Sequence, residues 1–290
     1  MLVTALLAGE ISVGAFAAVF NSIAILFERM NEVVNGLVAR ISEFMGTAHN
    51  FIRFMELPER GGEDRTPDFS KGIIAENISF TYPNSKNKSV NNVSLRVNAG
   101  ETISIVGENG AGKTTLVRLL IGLYVPQEGK VLLNGMDTSK TSNKSLFYGL
   151  SGVFQRFQKY QMTLNENIQI SDIDSESDST GNRMNQVIDQ SGIEINGASF
   201  PNGGETMLSR EFDGVDLSGG EWQRVAIARG LYRFHDVIIL DEPTASIDPI
   251  EESRIYRKFV EISKGKTAII VTHRLGSTKV ADRVVVMDKG

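Results

Sequence analysis

Eight residues constrain this chain more than any others: Gly107-Glu108-Asn109-Gly110-Ala111-Gly112-Lys113-Thr114. They satisfy G-x-x-x-x-G-K-[ST] at each fixed position. The apolar run Ile103-Ser104-Ile105-Val106 precedes them, and Thr115-Leu116-Val117-Arg118-Leu119-Leu120 follows as a helix-forming run. A strand that breaks into such a loop and restarts as a helix is the context this motif demands. The glycines let backbone N–H groups turn inward around a phosphate, and the helix start adds its positive end. Lys113 is expected to reach the terminal phosphates as a point charge, and Thr114 to give its hydroxyl to Mg²⁺. Gly107, Asn109, Gly110, Ala111, Gly112, Lys113, Thr114 and Thr115 are thus the candidate phosphate-binding residues.

A second feature answers the first. Val237-Ile238-Ile239-Leu240 reads as a buried strand that ends in Asp241 and Glu242. A carboxylate at such a strand end suits hydrated Mg²⁺, which assigns Asp241 to the metal. Strand side chains alternate, so Glu242 points elsewhere and is placed to orient or deprotonate a water.

The flanking sequence divides the chain into three parts. Residues 1–27 are almost wholly apolar, without Lys or Arg and with one acid, Glu10. They lack the basic start and small-residue cleavage site of a secretory signal. From Met30 to Met55, apolar residues recur at three- and four-residue steps: Val33, Val34, Leu37, Val38, Ile41, Phe44, Met45, Ala48, Phe51 and Ile52. Together with Ala15–Phe27 this predicts one helix over Ala15–Glu56, roughly 60 Å long at about 1.5 Å per residue, twice the ~30 Å of bilayer hydrocarbon. The expected picture is a helix that leaves a membrane and continues as an amphipathic rod in water, with Arg29 on the cytoplasmic side. A long helix of a soluble bundle has the same periodicity. Residues 57–72, with Pro58, Gly61, Gly62 and Pro67, have no period and read as a linker. From Ile73 to Gly290, strand-like and helical runs alternate, the pattern of an α/β domain. Within it, the polar tract Ser171–Thr180 reads as a surface loop.

Composition narrows the chemistry. The net charge of −5 argues against a broad nucleic-acid surface. The absence of cysteine removes disulfides and thiolate sites. Three histidines, His49, His235 and His273, are too scattered for a histidine metal centre.

Leu217-Ser218-Gly219-Gly220-Glu221-Trp222-Gln223-Arg224, taken with the loop and the acidic pair, makes the chain resemble the nucleotide-binding domain of ABC transporters. The resemblance implies a P-loop α/β ATPase with a helical subdomain, using ATP and Mg²⁺. In that family two such domains pack head to tail. Ser218, Gly219 and Gly220 of one copy would then meet the ATP held by the other. It also implies that Tyr82 stacks on adenine, that Gln155 contacts Mg²⁺ and water, and that Ser246-Ile247-Asp248 crosses the dimer interface. His273 would sit beside the γ-phosphate, completing a catalytic set of Lys113, Gln155, Glu242 and His273. His49 and His235 match nothing in the family pattern.

Residues 1–56 resemble the end of an exporter's membrane domain. Phe212-Asp213-Gly214 and Trp222 are similar to the lantibiotic and peptide exporters of Gram-positive bacteria. An exporter half carries six membrane helices and the family continues beyond Gly290, so the chain is expected to be a fragment. The expected role is an ATP-hydrolysing exporter motor in the cell membrane, with its ATPase on the cytoplasmic side. Its expected partners are a second half-transporter, most simply a second copy, and an exported substrate such as a peptide; nucleic acid is not among them. Two other classes compete. A soluble ABC ATPase of DNA repair or translation would need an inserted coiled coil or a second phosphate loop, and neither is present. A module that holds ATP without hydrolysis would not need Glu242 and His273.

Overall fold

A computed structural model describes residues 1–57, 61–173, 182–195, 199–241, 259, 261, 263–272 and 281–290. The chain divides into two compact units, Met1–Glu59 and Arg60–Gly290.

The first unit is a short helix, α1 (Leu2–Leu7), and a long one, α2 (Val13–Met55), of 43 residues. The latter begins two residues before the start read from periodicity. Ser12 sets that start, its hydroxyl accepting a hydrogen bond from the Ala15 amide at 3.2 Å. Gly36 and Gly46 lie inside the helix without breaking it. None of its residues is buried, and it is long and apolar enough to cross a membrane.

The second unit holds two sheets. In the first, β1 (Ile73–Phe80) pairs antiparallel with β2 (Val90–Val97) and with β4 (Glu128–Leu133), which in turn pairs with β5 (Met136–Asp137). The second sheet is all parallel, in the order β6-β7-β8-β3-β9. Its strands are β3 (Thr102–Val106), β6 (Leu150–Val153), β7 (Val237–Asp241), β8 (Thr267–Val271) and β9 (Arg283–Val286). Every residue of β3, β7 and β8 is buried, as expected of a parallel sheet covered on both faces.

Two cores lie on the two faces of that sheet, and the two-residue period of a strand sorts side chains between them. Val237, Ile239, Ile269, Val271, Ile103 and Ile105 join one core. It also contains Leu116, Leu119 and Leu120 of α3 (Lys113–Leu120) and Ile73, Val131 and Leu133 of the first sheet. Ile238, Leu240, Ala268 and Ile270 join the other. There they meet the helical layer: α5 (Leu164–Gln169), α6 (Asn182–Ser191) and α7 (Gly219–Tyr232). Arg229, near the end of α7, ties this layer together. It donates to Asn167 O at 2.9 Å, Asn167 Oδ1 at 3.0 Å and Gln158 O at 3.1 Å. A one-turn helix, α4 (Asn143–Leu146), leads into β6.

The stretch read as a linker, 57–72, is fastened to the second unit from Glu63 onward. Glu63 N donates to Lys140 O at 2.9 Å, Ser142 N donates to Glu63 O at 3.0 Å, and Arg65 N donates to Ser145 Oγ at 2.9 Å. Its lack of period reflects irregular backbone paired to a neighbouring loop, a pairing that sequence alone does not reveal.

Candidate functional site

The phosphate loop leaves the C-terminal end of β3 and closes into α3. Its glycines are enforced by neighbours as well as by backbone angles. A Cβ on Gly112, where φ is +95°, would lie 2.1 Å from Ser89 O. One on Gly107 would lie 2.3 Å from Met287 O. The loop is thus walled by the chain before β2 and by the end of β9, and only glycine fits those walls. Lys113 is buried and folds back over the loop, its ammonium donating to Gly107 O at 2.9 Å and Glu108 O at 3.0 Å. Glu108, Asn109 and Gly110 are exposed, whereas Ala111 is buried.

The sheet brings distant residues to this loop. Thr114 Oγ1 donates to Asp241 Oδ1 at 3.2 Å, across 127 residues of sequence. Asp241 ends β7 and is 3 % exposed. A hydroxyl and a carboxylate oxygen side by side are hard donors, the kind that Mg²⁺ accepts while keeping most of its water. The pair therefore fits the ion. The parallel register sets Val153 against Leu240, so Gln155 and Asp241 both lie at the C-terminal end of their parallel strands; Gln155 is exposed. Along β6 a cavity of about 320 Å³ is lined by Leu123, Phe147, Phe154, Arg229 and Arg233. Glu242, Ser246, Ile247, Asp248 and His273 lie outside the described residues.

Tyr82 is half-buried two residues past β1, and its hydroxyl shares a 3.1 Å hydrogen bond with Thr115 Oγ1. Around it lie Phe80 and Tyr124, which stack on each other with centroids 5.3 Å apart. Each meets the Tyr82 ring nearly at right angles. Arg118 donates to Tyr124 OH at 3.1 Å. Its partial burial opposes the charge, but the Tyr124 and Tyr82 phenols outweigh burial and raise the guanidinium's pKa above its ordinary value. Of this group the sequence points to Tyr82 and, for the phosphates, Thr115; Phe80, Arg118 and Tyr124 carry no motif, and nothing in the sequence joins them to Tyr82.

Ser218 caps α7. Its hydroxyl accepts from the Glu221 amide at 3.3 Å and donates to Glu221 Oε2 at 2.7 Å, while its own amide donates to the same oxygen at 2.8 Å. This is a complete capping box. Partial burial of Glu221 disfavours its charge. The Ser199 and Ser218 hydroxyls, the Ser218 amide and Arg224 outweigh that, holding its pKa below the ordinary value. Gly219 and Gly220 form the first turn of α7, so Leu217–Arg224, which resembles the signature segment of the ABC family, leads into a helix. The Ser218 hydroxyl is engaged by Glu221 rather than by the phosphate loop.

The family model described as ABC transporter matches residues 90–245. The subtilin transport ATP-binding protein SpaT of Bacillus subtilis is 33% identical over 286 residues, 98% of this chain and 46% of that protein. A bacterial Atm1-family ABC exporter solved with ATP bound superposes with a TM-score of 0.73 at 27% identity, over 96% of this chain and 48% of that one. An ATP-binding cassette solved as a dimer in a post-hydrolysis state with ADP and Pi gives 0.64 at 25% identity, over 75% and 95%. The chain spans less than half the length of the curated relatives it matches.

Proposed function

Because this chain belongs to the ABC transporter family and has the fold of its ATPase domain, with a long apolar helix before it, we propose that it is the ATP-binding and ATP-hydrolysing motor part of a membrane exporter. The observation that carries the reading is the contact between Thr114 and Asp241, which joins the two metal-suited oxygens at the mouth of a glycine-walled phosphate loop. Gly107, Asn109, Gly110, Ala111 and Gly112 wrap the phosphates with their amides, Lys113 neutralises the terminal charge, and Tyr82 carries the adenine. Thr114, Asp241 and Gln155 would hold Mg²⁺, which spreads the charge that develops on the phosphoryl oxygens. Glu242 orients and deprotonates the attacking water, and His273 positions the γ-phosphate. Catalysis of this kind is chiefly positioning and electrostatics.

Ser218, Gly219 and Gly220 meet ATP on a second copy, so the competent unit is a homodimer of half-transporters. The dimeric cassette among its structural neighbours supports this. The α2 helix starts in the membrane, and the ATPase lies on the cytoplasmic side. Nucleotide-driven closure draws the two copies together and biases the membrane part toward outward opening. The likeness to a subtilin transporter supports a peptide or small amphipathic cargo. The exposed apolar length of α2 favours this over a soluble repair or translation ATPase.

Glu242→Gln tests the assignment. It is expected to abolish phosphate release while ATP is retained and dimers accumulate on size exclusion. Unchanged turnover in that variant refutes Glu242 as the base.

A further inference from the structure

The surroundings of Tyr82 go beyond a single stacking ring. On one side, the Gln127 side chain clamps the preceding residue: its Oε1 accepts from Thr81 N at 2.9 Å and its Nε2 donates to Thr81 O at 3.0 Å. On another, the Phe80–Tyr124 stack fixes the ring's tilt. At its tip the hydroxyl reaches Thr115, and Arg118 grips the neighbouring phenol of Tyr124. Thr115 and Arg118 are three residues apart on α3, so they lie one above the other on one face. That helix is the one whose first turn closes the phosphate loop. Tyr124 is braced to it as well, its amide donating to Arg118 O at 3.0 Å.

We propose that Arg118 and Tyr124 are positioning residues for the nucleobase, holding the Tyr82 ring at a fixed tilt relative to the phosphate loop. This rests on the reading of Tyr82 as the adenine platform. Stacking is sensitive to ring orientation, and an aromatic platform free to rotate loses contact with the base while the phosphates stay bound. Arg118 and Tyr124 thus act on the base end of the nucleotide alone.

Dissociation constants of the full chain for ATP and for inorganic tripolyphosphate, by titration calorimetry, separate the two ends. Tyr82→Ala is expected to weaken ATP about tenfold and leave tripolyphosphate unchanged. Arg118→Met should weaken ATP about fivefold, again without effect on tripolyphosphate, and Arg118→Lys should recover most of the loss by restoring a donor. Tyr124→Phe keeps the stacked ring and removes only the oxygen that Arg118 grips; a threefold loss for ATP alone is expected. If Tyr82→Ala weakens ATP but Arg118→Met and Tyr124→Phe do not, the positioning role falls and the platform reading survives. If Tyr82→Ala changes nothing, the platform reading falls and this inference with it. Equal losses for ATP and tripolyphosphate in Arg118→Met overturn the proposal, because the residue then serves the phosphate end or the fold.

Discussion

Two helices of this protein begin on glycine-rich turns that look alike in sequence, and their first turns are filled in opposite ways. At α3 the cap is Gly112, which contributes no side chain. At α7 the cap is Ser218, locked into a reciprocal box with Glu221. The first four amides of any helix lack partners within it. Other helices of the ATPase unit solve this from their own chain: Ser142 caps α4, and Thr163 with Glu166 forms a second box on α5. The phosphate loop does not take this solution: Gly112 gives no side-chain cap, and the Lys113 ammonium folds onto the Gly107 and Glu108 carbonyls. The signature turn already holds a carboxylate. On the reading proposed above, the α3 start receives an incoming anion; the α7 start is satisfied within its own copy, where an anion would compete with Glu221 for the Ser218 hydroxyl. On the proposed reading, this asymmetry makes nucleotide bind first at the loop and reach the signature only when a second copy closes.

The strongest way to break the contrast is at Gly112. Gly112→Ala adds a methyl 2.1 Å from Ser89 O at a φ of +95°. It is expected to weaken ATP binding by about 100-fold or more, through backbone strain and displaced amides. Calorimetry showing a loss under about threefold would mean the loop's shape does not depend on that wall. Next comes Ser218→Ala, which removes the cap of α7 and is expected to cost about 1 kcal/mol of stability in urea unfolding. No loss would show that Glu221 caps the turn unaided.

The smallest expected effect is a difference of slopes with pH. The pKa of Glu221 is depressed in the folded protein relative to its ordinary 4.5. The stability it adds is therefore present above about pH 4.5 and is lost as pH falls through the lower folded value. Glu221→Gln should flatten that part of the stability–pH curve; a curve with unchanged slope would detach the carboxylate from the cap.

What could be read in advance follows from where the information is stored. The strands β3, β7 and β8 were visible because a strand buried on both faces is a run of Val, Ile and Leu. So was the stripe of α2, carried by residues three and four apart. The strand β6 ends in Val153 just ahead of Gln155, but its middle is Ser151-Gly152, which carries no β signal. The helices α5 and α6 are polar on most of their surface. Thr163…Glu166 and Ser218…Glu221 are capping boxes that spacing could have revealed. The loop, Asp241 and the signature were legible because each is local in sequence. The brace around Tyr82 was not. Its hydrogen bonds run from the Thr81 backbone to the Gln127 side chain and from Tyr82 to Thr115, contacts between residues far apart that no local pattern announces.

The alternation along β7 has a further consequence. Asp241 meets Thr114 because it faces the same way as Val237 and Ile239, toward the core that holds α3. Its direction is thus inherited from a count of residues rather than from any property of the acid. Deleting one residue upstream in that strand would exchange the two oily faces and, in the same stroke, turn the metal-suited carboxylate toward the helical layer. Folding error and loss of chemistry would then be a single event.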